Sequence, residues 1–492
     1  MSSRKTTVAL LALIAVGCGD NTADSATATL GTSTGTSPTS TGTTAAPTTD
    51  APTTSTSDSG TASQTGTGTP TTSTSTSTTT GTTDPGVETA TTTTTAATTS
   101  ASTSTSTSTS SDTTTGQSCQ DSGGGDIDFS FLWVANSGEN TVSKVDTINI
   151  QEVGRYRVQP PNVPGGSPSR TSVNLAGDMA VANRCNLQEP VPMGCAGVTK
   201  IAARVEDCVD KNGDGVITTS TGTNDVKPWD QDECVLWHTP LQARSNRPVA
   251  WTAGTLDPVT CERVGVDVWT ATSNDGNNGS VKVYLLNGDT GAIEQEVVVQ
   301  GWQGDGYAVY GGAVDSHDDF WFVGGYSNQL GHVRRDDFSY EVIPSPGTPY
   351  GTMVDSKDRP WLLNGQLNRY DPLTQSWQTK PCPFPCTSIT QDGDGNVWVG
   401  GVAFQDNPIR LIKVDPETME TIGMITSTDI PEIGNSWGLA TDVEGYLWAV
   451  EMGTRAFKID RTDYSYQFFQ NISSMYTYSD MTGFGLKNVV PM

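Results

Sequence analysis

Between Cys208 and Cys234 the chain carries Asp210-Lys-Asn212-Gly-Asp214-Gly215-Val216-Ile217. Ca²⁺ takes about six to eight hard oxygens and needs a glycine turn between them, so oxygen side chains at positions one, three and five with Gly at six are its loop pattern. Asp210, Asn212 and Asp214 would ligate through side chains and Val216 through its carbonyl, in a structural Ca²⁺ site. Thr221 stands where the position-twelve carboxylate belongs, so Asp225, Asp232 or Glu233 must fold back to supply one. The alternative is an acidic, Gly-rich turn without metal. Asp392-Gly-Asp-Gly-Asn396 looks similar but reads as a hairpin turn, where Asp, Gly and Asn are expected anyway.

A second set of residues suits binding. Tyr310, Tyr350, Thr387 and Trp437 each stand five places before an Asp, and an aromatic followed by Gly recurs at Tyr310, Tyr350, Trp437 and Phe484. With Arg170 and Arg247 they read as an aromatic ring with two cations, fit for a planar, sugar-like or anionic ligand. Equally, Gly lets strands crowd an axis that the aromatics plug. No phosphate-cradling glycine loop occurs.

These residues sit in a repeat. An acid precedes a Trp by six places at Asp315/Trp321, Asp355/Trp361, Asp392/Trp398 and Asp442/Trp448, and Asn174/Ala180 is a degenerate copy. Each phrase joins a short apolar strand, a polar turn, a Trp-bearing strand, a strand ending in an acid (Asp371, Asp415, Asp460) and a fourth strand. Four short strands per unit at a period of roughly 40–50 residues predict an all-β, seven-bladed β-propeller. The blades fall near 130–156, 168–204, 246–300, 309–344, 349–380, 386–425 and 436–471, with the Cys-bounded insertion at about 205–240 between the second and third. The first lacks an innermost strand, and Thr482–Asn488 is the expected closing strand. The Trp residues at 133, 321, 361, 398 and 448 are expected as core between blades.

Repeats such as Asp442-x-x-Gly-x-Leu-Trp448, followed by a strand ending in Lys-Ile-Asp460, resemble the seven-bladed propellers of virginiamycin B lyase (streptogramin lyase) and related NHL-type proteins over most of 128–490. That resemblance implies a metal-assisted elimination that opens a depsipeptide lactone with Mg²⁺, a His and a Glu fourteen residues apart. Trp448-Ala-Val-Glu451 is similar to the Glu-bearing strand, which would make Glu451 catalytic. Trp437 stands where the His belongs, while Thr387 pairs with Gly401, Tyr350 with Asn364 and Tyr310 with Gly324. None of His238, His317 and His332 takes the equivalent place.

The rest of the chain supplies an address. Arg4-Lys5, the apolar run Val8–Ile14 and Ala15-Val-Gly-Cys18 read as a lipoprotein signal peptide over 1–17, with Cys18 as the lipidated residue. Of the 97 residues from Asn21 to Gln117, 61 are Ser or Thr, and none is Lys, Arg, aromatic or Cys, so 18–117 is expected as a disordered stalk before the folded 118–492. Eight further cysteines in an exported chain read as disulfides: Cys185–Cys195, Cys208–Cys234 and Cys382–Cys386 by spacing, leaving Cys119 with Cys261. With no Cys-x-x-Cys pair and scattered histidines, zinc has no support.

The 492 residues hold 27 Lys+Arg against 54 Asp+Glu, a net charge of −27, which argues against nucleic acid as a partner. Without leader and stalk, residues 118–492 keep 25 basic and 47 acidic side chains, so the acidity belongs to the folded part. The low hydrophobic share, 34%, belongs to the stalk. The expected protein is a monomeric binding or scaffolding propeller with an unknown ligand or protein at its channel mouth. It would be exported and lipid-anchored to a bacterial membrane, at the outer membrane or cell surface. The alternative is a carbon–oxygen lyase with Mg²⁺.

Overall fold

A computed structural model describes residues 130–490 except 162, 164, 186–194, 244, 274–278, 304–308, 326, 404–406, 471 and 473. Cys18, the leader, the stalk and Cys119 therefore lie outside the described residues. The chain divides into two units, 1–114 and 115–492, and the second holds every described residue.

Seven antiparallel sheets succeed one another along the chain. Blades 3 to 7 have four strands each; in blade 5 these are Gly351–Val354, Pro360–Leu363, Gln366–Asp371 and Ser376–Pro381. Strands near the axis are packed on both faces, so Ser436–Thr441 is buried at every position, whereas the outer strand Ile293–Gln300 buries only Val297 and Val299. Blade 3 also carries a small hairpin, Thr255–Leu256 with Arg263–Val264. Trp133, Trp361, Trp398 and Trp448 are wholly buried in the cores between sheets, and Trp321 nearly so.

The repeated acid and Trp form one hydrogen-bonded unit. In blades 4 to 7 the indole Nε1 donates to Oδ2 of Asp315, Asp355, Asp392 or Asp442, at 2.8 Å in every copy. The other oxygen closes the hairpin turn: Asp392 Oδ1 accepts the amides of Asp394 and Asn396. Asn174 closes its turn alike, through Ala176 and Asp178. Three places after the acid the backbone is left-handed at Gly177, Asp318, Asp358, Gly395 and Gly445, which is why Gly or Asp stands there. Where Asp replaces Gly it reaches the preceding blade, Asp318 accepting the amides of Ala253 and Gly254 and Asp358 that of Ser316.

Two expectations are corrected. The insertion lies inside blade 2, between its third strand, Ala196–Ile201, and its outer strand, Val235–Leu241, because these two pair directly. Nor is Thr482–Asn488 a strand: Phe484–Val489 is a short helix. Gly483, left-handed at φ 83°, turns the chain, and the Asp480 carboxylate collects the amides of Thr482, Gly483 and Leu486. Leu486 and Val489, three apart on one helix face, bury against the core. The ring is closed by the segment just upstream. Tyr476 N–H donates to Ala135 O, Trp133 N–H donates to Met481 O, and Tyr478–Ser479 pairs in parallel with Arg170–Thr171. The C-terminal segment thus stands where blade 1, which has only three strands, lacks its innermost one.

Candidate functional site

The inner strands begin at one end of the axis, and there the side chains of the aromatic and cationic set meet. Arg170, Arg247, Tyr310 and Trp437 are buried and Tyr350 is half-buried. Tyr310 and Tyr350 lie 5.0 Å apart between ring centroids, and Tyr350 and Trp437 5.2 Å. Into this group the C-terminal segment inserts Tyr476 and Tyr478, themselves 4.8 Å apart, edge to face. Tyr476 hydroxyl bonds those of Tyr310 at 3.0 Å and Tyr350 at 2.9 Å, and Tyr350 also contacts Tyr478. The guanidinium of Arg170 lies over Tyr478 (4.6 Å) and Tyr310 (5.1 Å), with Arg247 over Tyr310 at 4.6 Å.

Sequence reading missed three members of this group. Arg184, from the second strand of blade 2, stacks over Tyr476 at 4.5 Å. Tyr476 and Tyr478 escaped because Phe484-Gly485 matched the aromatic–Gly phrase; their signal is a period-two Tyr-Thr-Tyr run ahead of an Asp.

Desolvation lowers the pKa of Arg170 and of Arg184, the latter lowered further by Arg247, and raises those of Tyr350 and Tyr478 well above the phenol range. Tyr350 and Tyr478 stay neutral and offer no base. Further along the axis a cavity of about 70 Å³ separates this aromatic group from the helix Phe484–Val489. Asp480 lines it, its pKa raised by desolvation against the amides that hold its carboxylate. Both ends of the axis are thus occupied by the protein's own C-terminal segment.

Glu451 ends the second strand of blade 7. Its Oε2 accepts Arg455 Nε at 2.8 Å, while Oε1 accepts Arg455 Nη2 at 3.1 Å and the Gly434 amide at 2.5 Å. Both oxygens are committed, and Trp437 has no lone pair to give a metal, so these residues do not fit the Mg²⁺ chemistry the lyase resemblance implies.

His317 is an exposed turn residue and His238 packs edge-on against Trp229. His332 stacks on Trp321 at 3.8 Å, with Asp319 and Glu341 each 3.0 Å from a ring nitrogen. Asp315, Asp319 and His332 bring ligand-type atoms within 4.8 Å of one another, but each is already hydrogen-bonded. In blades 5 to 7 the residue opposite the Trp is Arg369, Lys413 or Lys458, so His332 fills a place that takes a cation in each of these blades.

The insertion holds the Asp-x-Asn-x-Asp-Gly loop. Asp210 accepts the amides of Gly213 (2.6 Å) and Gly215 (2.9 Å), Asn212 that of Asp214, and Asp214 that of Val216. These bonds hold the Asp210 carboxyl below the usual range, that from Gly215 most. Gly213 and Gly215 are left-handed, at φ 74° and 80°, with open space where a Cβ would be, so backbone conformation alone requires them. Of the three acids that might fold back, buried Glu233 lies against the loop, accepting the amides of Lys211 and Thr218. Asp232 holds Thr219 and Ser220, and Asp225 pairs with Lys227. Cys208–Cys234 closes the insertion, and Cys185–Cys195 and Cys382–Cys386 are also bonded.

No protein-family model matches the chain, and no curated protein matches it. Among solved structures it is similar to virginiamycin B lyase from Staphylococcus aureus, with 15% identity over 64% of this chain and 87% of that one, TM-score 0.40. It is similar to a protein from Lactobacillus plantarum, with 13% identity over 71% of this chain and 98% of that one, TM-score 0.46. A protein of unknown function from Bacteroides caccae matches at 10% identity over 61% and 94%, TM-score 0.39.

Proposed function

We propose that this chain is an exported, membrane-anchored β-propeller that acts as a binding or scaffolding module and performs no catalysis at its axis. The observation that carries the reading is the occupied axis: Tyr476 and Tyr478 fill one end and the helix Phe484–Val489 the other. The commitment of Glu451 to Arg455 supports it, because a carboxylate held by a bidentate guanidinium is a poor proton carrier. The basic start, short apolar run and Cys18 support a lipid anchor, and the Ser/Thr tract supports a solvated stalk between membrane and ring. Streptogramin turnover with Mg²⁺, wild type against Glu451→Gln, tests the reading. No turnover by either is expected; turnover lost in the variant would overturn it.

Within the same reading the insertion loop takes structural Ca²⁺ through Asp210, Asn212, Asp214 and the Val216 carbonyl. The hydrogen-bonded loop conformation and the left-handed Gly215 support this. Calcium should raise the melting temperature of wild type and leave Asp214→Ala unmoved; equal melting with and without calcium would sink the site.

A further inference from the structure

With the axis closed, ligand recognition by this module falls to its outer surface, and one cleft there has the volume and the chemistry. It measures about 400 Å³, against about 70 Å³ for the cavity on the axis, and falls within the roughly 300–1,000 Å³ of small-molecule sites. One wall is blade 1: Asn140 in a turn, then Arg157, Gln159 and Pro160 where the outer strand leaves the sheet. The other wall is the insertion, through Pro228, Trp229 and Asp230.

From this wall chemistry we infer that the cleft binds a neutral saccharide. A sugar ring presents a C–H face, which needs a flat apolar platform, and an edge of hydroxyls, which needs planar groups that both donate and accept. Half-buried Trp229, flanked by prolines, is the platform. Asp230 supplies paired acceptors, and Arg157 and Asn140 supply donors. Glu139 also lines the cleft but is paired with Arg155 at 2.8 Å, so the opposite charges of Arg157 and Asp230 leave the cleft without a strong preference for an ion. A proline-rich segment suits the apolar platform but offers no backbone N–H from its prolines to the Asp230 carboxylate; hydroxyls serve both signs of wall.

Both walls are preformed, as precise recognition requires. Asn140 Oδ1 accepts the Ser167 amide at 2.7 Å, and Arg184 holds the Ser167 carbonyl at 2.9 Å. The insertion is tied back by the Cys208–Cys234 bond, by the Thr223 amide on Glu152 at 3.0 Å, and by Lys211 on the carbonyls of Asp232 and Val235. This gives the insertion, absent from the other six blades, a function: it supplies the second wall.

The inference rests on the binding-module reading and names its ligand. The test is calorimetric titration of the full chain with neutral β-linked hexose and N-acetylhexosamine oligosaccharides, beside a proline-rich peptide. Binding of one saccharide class is expected, weakened about tenfold or more in Trp229→Ala and in Asp230→Ala and Arg157→Ala. The last two alter exposed side chains and should keep the fold even if the first does not. No saccharide binding at millimolar concentration, equal binding by all variants, or binding of the peptide alone would each overturn the inference. None of those results bears on streptogramin turnover, so the wider reading stands or falls separately.

Discussion

Blades 5 to 7 and blades 1 and 2 build the same architecture by different means. In blades 5 to 7 each unit is self-sufficient. An acid closes the hairpin and takes the indole N–H, a cation lies across the ladder from the Trp, and ion pairs join neighbours, as Arg359 joins Asp355 and Glu417 and Arg461 joins Asp392. Blade 2 has Ala180 where the Trp should be, opposite Lys200, which turns instead to Asp178 at 3.2 Å and the neighbouring Trp251 ring at 5.3 Å. Blade 1 keeps Trp133 and Lys144 but lacks an inner strand. Two disulfides, a long insertion and the C-terminal segment stand in for what is missing. Where the repeat decays, non-repeating parts take over, and they create the surfaces that differ from blade to blade.

The sharpest way to break this contrast is to remove the borrowed parts. Truncation after Ser474 strips Met475, Tyr476, Tyr478, Met481, Leu486 and Val489 from the core, a loss of roughly 10 kcal/mol at about 1.5–3 kcal/mol per large apolar side chain. That equals a typical domain stability, so no cooperative melting is expected; a normal transition would show blade 1 complete by itself.

Next comes covalent against hydrogen-bonded support. Cys208→Ser, opening a loop of sequence separation 26, should cost about 3–4 kcal/mol in the chain-entropy model. Asp355→Ala, which leaves the buried Trp361 N–H and Arg359 short of a partner, should cost about 3 kcal/mol, whereas Asn174→Ala loses only turn bonds, about 1 kcal/mol. Equal costs for Asp355 and Asn174 in denaturant titrations would erase the distinction between intact and degenerate copies.

The cations differ too. Lys458 of blade 7 has Glu444 at 2.7 Å, but Lys144 of blade 1 makes no ion pair among the described residues and sits over Phe131, and desolvation lowers its pKa to about 8. A lysine depressed in the folded state adds stability above its unfolded pKa, which is lost as pH falls through the folded value. Wild type should therefore gain on Lys144→Met between pH 8 and 10.5, on the order of 2 kcal/mol. A flat difference would mean the amine is solvated.

The smallest effect belongs to an exposed pair. Glu417, held near pKa 2 first by Arg359 and then by Lys357, stabilises above its unfolded value of 4.5 and loses that contribution as pH falls toward 2. Half-exposed and screened, it should separate wild type from Glu417→Gln by under about 1 kcal/mol.

The blades were legible because their signal is local: six residues from acid to Trp is the span of one hairpin, and one hydrogen bond fixes it. The cation was written just as locally, two places before the strand-ending acid in Lys144-Val-Asp146, Arg369-Tyr-Asp371, Lys413-Val-Asp415 and Lys458-Ile-Asp460, but its meaning appears only across the ladder. The closing segment was not legible. Arg170 donates to Ser479 across 309 positions, and the choice of helix over strand at Phe484 turns on an Asp480 carboxylate six residues from Leu486. The insertion's blade likewise depends on a pairing, Ile201 with Val235, that no short period reveals.

A ribosome makes this chain from its N-terminus, so Trp133 and Arg170 emerge hundreds of residues before Met481 and Tyr478. Until residues 475–481 arrive, blade 1 offers an open edge and blade 2 a bare inner face. The nascent chain therefore carries an unsealed seam even after the antiparallel strands of all seven sheets are made. A message cut short before Met475 would yield a ring that cannot lock.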